Sequence, residues 1–238
     1  MKHCRFMDKH WSRLIQIMER IKIKIGVVSD VVCPWCYIGK RRLEKAMALA
    51  SDGYHFQLEY YPFELNPHLP EDGVSYRDYL TRKFGSESKF RELTAHVSHV
   101  AAGEGLRFRP ELQKVSPNTR NAHRIIMFAR GSGRQSEVVE AFFRAYFIEG
   151  IDLSNIDVLA DIAEGAGLDR TSVEQLLNSS TGKLEIEMAE KELHDLGITA
   201  VPLFIIEDRL GISGAQSVEV FLKAFEDVTV CREEKVLQ

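Results

Sequence analysis

The sequence predicts an α/β fold in the order β-α-β, a helical insertion, then β-β-α. Three observations carry this. Residues 21–32 and 54–63 have strand patterns with a helical stretch between them, 75–197 shows only helical spacing, and strand patterns return after Gly197.

Residues 21–32 (IKIKIGVVSDVV) alternate apolar and polar, then turn β-branched, which reads as a strand. Residues 37–50 (YIGKRRLEKAMALA) follow with helical spacing, offering Tyr37, Ile38, Leu43, Met47 and Leu49 for burial. Ser51-Asp52-Gly53 makes a turn, and 54–63 (YHFQLEYYPF) alternates again. A β-α-β order implies parallel pairing through a right-handed crossover. Seven helices are then expected, at 75–84, 87–103, 117–131, 135–149, 155–166, 170–178 and 181–196, with glycine- and serine-rich breaks between them. No strand is visible in that block. After it, 201–206 is a short apolar strand, 207–209 a hairpin turn, 210–213 the return strand and 216–228 an amphipathic helix. This order fits one sheet domain, residues 21–74 with 198–230, interrupted by a helical domain at 75–197.

At 238 residues the chain is long enough to bury a sizeable core, and 45% apolar with 28% charged residues is ordinary for a globular protein. A net charge of −4 gives no basic field for nucleic acid, and no apolar run is long enough for a membrane helix. Residues 1–20 have charges interrupting every apolar pair, unlike a secretory signal. They read as an extension without fixed structure or as an overlong reading of the gene, Met18 being able to serve as a start. A cytoplasmic location is expected.

In a reducing compartment structural disulfides are rare, so the four cysteines need another reading. Cys4 and Cys231 stand near opposite ends and read as free thiols. Cys33 and Cys36 bracket Pro34 and Trp35 at the strand-to-helix junction. Cys33 falls at or beside the N-cap and Pro34 at the first helical position, where its missing N–H costs nothing. The free N–H groups of that turn and the helix dipole favour negative charge on the Cys33 sulfur. Cys33 is therefore the attacking sulfur and Cys36, one turn deeper, the resolving one. A CxxC after a strand and opening a helix is the pattern of thioredoxin-like redox motifs. Half a zinc site is the rival, but no second Cys or His pair accompanies it, so no metal is expected. Pro202, after Val201 and ahead of the apolar strand, suits a cis-proline loop lying against the two cysteines. A trans proline at a strand start is the plainer alternative.

Four segments, at 29–40 (SDVVCPWCYIGK), 61–67 (YPFELNP), 117–124 (PNTRNAHR) and 197–202 (GITAVP), resemble the FrnE-like branch of the DsbA family, thioredoxin folds with a helical insertion. The resemblance implies a nucleophilic Cys33, a resolving Cys36, a cis Val201–Pro202 peptide, and Asn118 and His123 facing the site from an insertion helix. From the residues alone, Ser116-Pro117 reads as N-cap and first position of that helix, and His123 as either site-lining or an ordinary helix histidine. The expected activity is a protein thiol–disulfide oxidoreductase or isomerase. It needs no bound cofactor, and glutathione or a partner dithiol serves as co-substrate. The alternative is a glutathione-dependent small-molecule isomerase or transferase, as in the similar 2-hydroxychromene-2-carboxylate isomerases and kappa-class glutathione transferases. Those enzymes place a serine where Cys33 stands, and a second sulfur is needed only for disulfide chemistry. Expected partners are thiol- or disulfide-containing proteins or small thiols, with neither nucleic acid nor membrane.

Overall fold

A computed structural model describes residues 20–236, with side chains through residue 230. The expectations for Cys4, for the side chain of Cys231 and for all but the last residue of 1–20 lie outside the described residues.

Strand β1 (Ile21–Ser29), helix α1 (Pro34–Leu49) and strand β2 (Tyr54–Pro62) form the expected β-α-β unit. β1 pairs in parallel with β2, from Ile21 opposite Tyr54 to Ser29 opposite Pro62. Strands β5 (Leu203–Ile206) and β6 (Leu210–Ser213) complete a four-stranded sheet in the order β2-β1-β5-β6, both joints to β5 being antiparallel. β1 is thus a central strand, and Ile23, Ile25, Val27 and Val28 along it are fully or nearly fully buried. Val31 is buried too, but the strand ends at Ser29 and residues 30–32 turn toward the helix.

The block between β2 and β5 is mainly helical. It holds α2 (Tyr76–Phe84), α3 (Glu87–Gly103), α4 (Arg120–Phe128), α5 (Gln135–Arg144), α6 (Ile156–Gly165), α7 (Arg170–Leu177) and α8 (Lys183–Asp195). Ser75, Ser86, Asn155 and Asp169 cap α2, α3, α6 and α7 by accepting hydrogen bonds from the first turn. The expected helix at 135–149 is α5 continued by one wider π turn at Ala145–Glu149.

Two expectations about this block fail. It does contain strands, β3 (Val74–Ser75) and β4 (Val115–Ser116), paired antiparallel. Two residues are too short to show a period. Ser116 is consequently a strand residue, so neither it nor Pro117 starts α4. That helix begins at Arg120 with Thr119 at its N-cap, and Asn118 Oδ1 accepts from the Arg120 N–H. Leu49 also departs, being 71% exposed at the last position of α1, where the helix has run past the sheet. The final helix, α9 (Val218–Val236), is longer than expected.

Helix α1 is held on both sides. Toward α5, Tyr37 stacks on Phe143 with centroids 4.7 Å apart, and its hydroxyl donates to Glu140. The buried Lys40 donates to the other oxygen of Glu140 at 2.6 Å. Toward the sheet, Gly39 lets α1 lie close on β5. A Cβ there would stand 3.0 Å from the Phe204 ring and 3.4 Å from Pro202. Phe204 is fully buried and cannot yield. Gly39→Val is expected to cost about 1–3 kcal/mol by overpacking, read as a lower denaturant midpoint with an unchanged slope.

Candidate active site

Cys33 is the N-cap of α1 with extended backbone (φ −89°, ψ 112°), and Pro34 opens the helix. Its carbonyl accepts from the N–H groups of Cys36 and Tyr37, while its own N–H donates to the Asp30 carbonyl at 3.0 Å. The first turn thus ties both cysteines to the end of β1. Both are free thiols and buried, with 4% and 2% exposure. Burial pushes the Cys36 thiol well up, and the neighbouring Cys33 adds to this. The Ser29 side chain and the Asp30 backbone, which favour the charged form, work against it. A neutral, inner Cys36 beside an outer Cys33 suits a resolving thiol.

The Val201–Pro202 peptide bond is cis. The Cys33 Sγ donates weakly to the Val201 carbonyl at 3.8 Å, across a sequence separation of 168 residues. This loop and the CxxC turn form one wall of a cavity of about 410 Å³. Val32, Pro34 and Trp35 line it on the cysteine side, and Leu80, Phe84, Leu93 and Val97 on the α2–α3 side. Phe108, Tyr146 and Phe147 close it from behind. Trp35 faces His96 of α3 with ring centroids 6.1 Å apart. The walls are mainly apolar, with polar groups from Asn66, Lys83, His96 and Gln113.

Asn118 and His123 part company. Asn118 donates its amide to the Leu69 carbonyl at 3.0 Å and lines a separate cavity with Pro67, Arg120 and Lys183. His123 is 2% exposed, with Nε2 at 3.4 Å from Asp30 Oδ1. Asp30 is completely buried. Its second oxygen accepts from the Leu65 N–H at 2.8 Å, so it also pins the segment after β2. Glu64, with its side chain buried, pairs there with Arg120 at 2.9 Å. Asp30 was not among the residues singled out for the site. Its only signal was a carboxylate in an otherwise apolar run. The cavity's far wall was equally hidden, since apolar residues on α2 and α3 look like core in sequence.

Among the described residues, no group of three or more His, Cys, Asp or Glu side chains could hold a metal ion, and no helix is long and apolar enough to cross a membrane.

Comparison with known proteins agrees with this geometry. The YwbO protein of Bacillus subtilis (strain 168) is 32% identical over 218 residues, covering 86% of this chain and 96% of that protein. A crystal structure of the probable DsbA oxidoreductase SCO1869 from Streptomyces coelicolor is also 32% identical, with a TM-score of 0.79 over 85% of this chain and 88% of that one. The cytosolic disulfide reductase DsbM from Pseudomonas aeruginosa shares the fold at 15% identity and a TM-score of 0.62, covering 87% and 98% of the two chains. The profile of the DSBA-like thioredoxin domain matches residues 24–226. The chain belongs to the DSBA-like thioredoxin domain family, a family of thiol–disulfide oxidoreductases and their relatives.

Proposed function

We propose that the chain is a dithiol–disulfide oxidoreductase acting through Cys33 and Cys36. The observation that carries this reading is the pairing of a helix-capping Cys33, next to the Val201 carbonyl, with a free Cys36 one turn deeper. Cys33, as thiolate, attacks a substrate disulfide and forms a mixed disulfide. Cys36 then attacks the Cys33 sulfur, closing the internal disulfide and releasing the substrate thiol. Pro34 sets the helix start, Trp35 borders the cavity, and the Val201–Pro202 edge offers backbone groups to an extended substrate segment. In this reading residues 21–74 and 198–230 form the redox domain, and 75–197 the helical cover over its cysteines. Partners are proteins or small molecules bearing thiols or disulfides in the cytoplasm, with glutathione or a partner dithiol as co-substrate.

Equilibration in a series of glutathione buffers, followed by alkylation and mass measurement, tests it. A single two-electron transition of the Cys33–Cys36 pair is expected. A midpoint near about −270 mV would mark a reductase, and one near −120 to −180 mV an oxidant or isomerase. A pair that never closes would sink the reading. The apolar cavity beside Cys33 favours one second reading, a glutathione-dependent isomerase or transferase of small apolar molecules. In that case a single glutathione would add to Cys33 and no internal disulfide would form.

A further inference from the structure

Helices α2 and α3 carry apolar side chains that the core does not use. α2 has no buried residue, and α3 only Ala101, near its C-terminal end. Leu80 and Phe84 on α2 and Leu93 and Val97 on α3 instead line the cavity of about 410 Å³ beside Cys33. A cavity of ~150 Å³ with apolar walls is enough to take up benzene. This one therefore has room for a two-ring group or an alkyl chain of similar volume. Two of its polar lining groups are engaged within the protein. Asn66 Oδ1 accepts from the Tyr79 hydroxyl at 2.6 Å and from Lys83 at 2.9 Å, and Gln113 donates its amide to the Tyr146 carbonyl at 3.1 Å.

We propose that this cavity selects low-mass disulfides in which one sulfur carries an apolar chain or ring, with Leu80, Phe84, Leu93 and Val97 setting the selectivity. The proposal rests on the dithiol reading above and names its substrate class. Access decides the size of the substrate. Cys33 is 4% exposed yet lines the cavity, so a small molecule inside it reaches the sulfur. A disulfide fixed on the surface of another folded protein does not. An extended peptide fares little better, because each of its residues brings an N–H and a C=O that need partners once buried. Past the Val201 edge, Asn66 and Gln113 are already taken. An apolar group needs no such partner, and its removal from water favours binding by about 3-fold per methylene.

The Cys33 thiolate attacks the sulfur that carries the apolar group. The substrate S–S bond breaks, and the other sulfur leaves with the bonding pair as a thiolate. The apolar group then occupies the cavity as a mixed disulfide with Cys33. Cys36 attacks the Cys33 sulfur, the mixed disulfide breaks, and the apolar thiolate departs, the proton from Cys36 balancing its charge. The substrate disulfide has gained two electrons and the enzyme dithiol has given them. The co-substrate dithiol restores the pair.

The test reacts the reduced full chain with methyl, butyl, hexyl and octyl 2-pyridyl disulfides. Release of pyridine-2-thione gives the second-order rate constant of attack, divided for each reagent by that of free glutathione. The corrected value is expected to climb with chain length and to level off once the cavity is full, hexyl exceeding methyl by on the order of 10²-fold. A 6-hydroxyhexyl reagent should lose most of this gain, since its hydroxyl is buried without a partner. Leu93→Gln should lower the hexyl-to-methyl ratio by about 10-fold or more, and Val97→Trp, which fills the cavity, should stop the climb at a shorter chain. A folded Leu93→Gln with the wild-type ratio overturns the proposal. Wild-type rates that ignore chain length overturn it whether or not either variant folds. A peptide 2-pyridyl disulfide that gains as much from Phe in place of Ser beside its cysteine would assign the cavity to peptides and overturn it too. Mass measurement keeps the dithiol reading separate. An alkyl group that enters with the expected length dependence but stays on Cys33 overturns that reading, whereas closure of the internal disulfide without length dependence overturns the selectivity alone.

Discussion

Cys33→Ser is expected to lower disulfide exchange by on the order of 10³-fold or more, because a serine hydroxyl is not ionised near neutral pH and cannot form the mixed disulfide. Cys36→Ser should behave differently. It retains the attacking sulfur at the helix N-cap, so the first step survives and the mixed disulfide accumulates. Mass measurement after exposure to a disulfide probe separates the two. Cys36→Ser should carry one equivalent of probe on Cys33, and Cys33→Ser little or none, since Cys33 lines the cavity, Cys36 does not, and burial disfavours the Cys36 thiolate. Equal labelling of both variants would mean that Cys36 reaches substrate directly, and the division into outer and inner sulfur would fall.

The largest effect on stability should come from Arg124. This guanidinium is 1% exposed on α4 and donates to the carbonyls of Leu176, Ser179 and Thr181 and to the Asn121 side chain. It thereby binds the connection between α7 and α8, whose helix leads into the Val201–Pro202 loop. Arg124→Ala would remove the hydrogen bonds to three carbonyls and leave a hole, and a cost of about 3–5 kcal/mol is expected. For a chain of this size that lowers Tm by roughly 6–20 °C. Arg124→Lys should recover little of it, because an ammonium cannot serve the same spread of acceptors. Scanning calorimetry on both variants checks this, and a loss below about 1 kcal/mol for alanine would show that the loop is held otherwise.

The order of elements was legible because each has a strong local signature. The alternation of 21–29 and 54–62, the apolar run of 203–206 and the glycine- and serine-marked helix breaks all stand in short windows of sequence. The cysteine pair was legible for the same reason, since its chemistry depends on spacing and on one helix start. Start and stop details fared worse. Ser116-Pro117 carries a good capping signal, yet the pairing of Ser116 with Val74, 42 residues earlier, takes it into a strand instead. Leu49 is apolar, yet it ends in solvent because α1 outruns the surface it packs on.

The residues alone therefore determined a β-α-β start, a helical middle, a β-β-α close and a dithiol at the first helix. Those features rest on periodicity, turn chemistry and the i, i+3 reach of one helical turn. Only the tertiary structure brought Val201 to Cys33, placed Asp30 against His123, assigned Asn118 to another cavity and set α2 and α3 as the far wall of the cavity beside Cys33. Each of those depends on which buried faces meet across many tens of residues. A sequence window records that a residue wants to be buried, but not what it will be buried against.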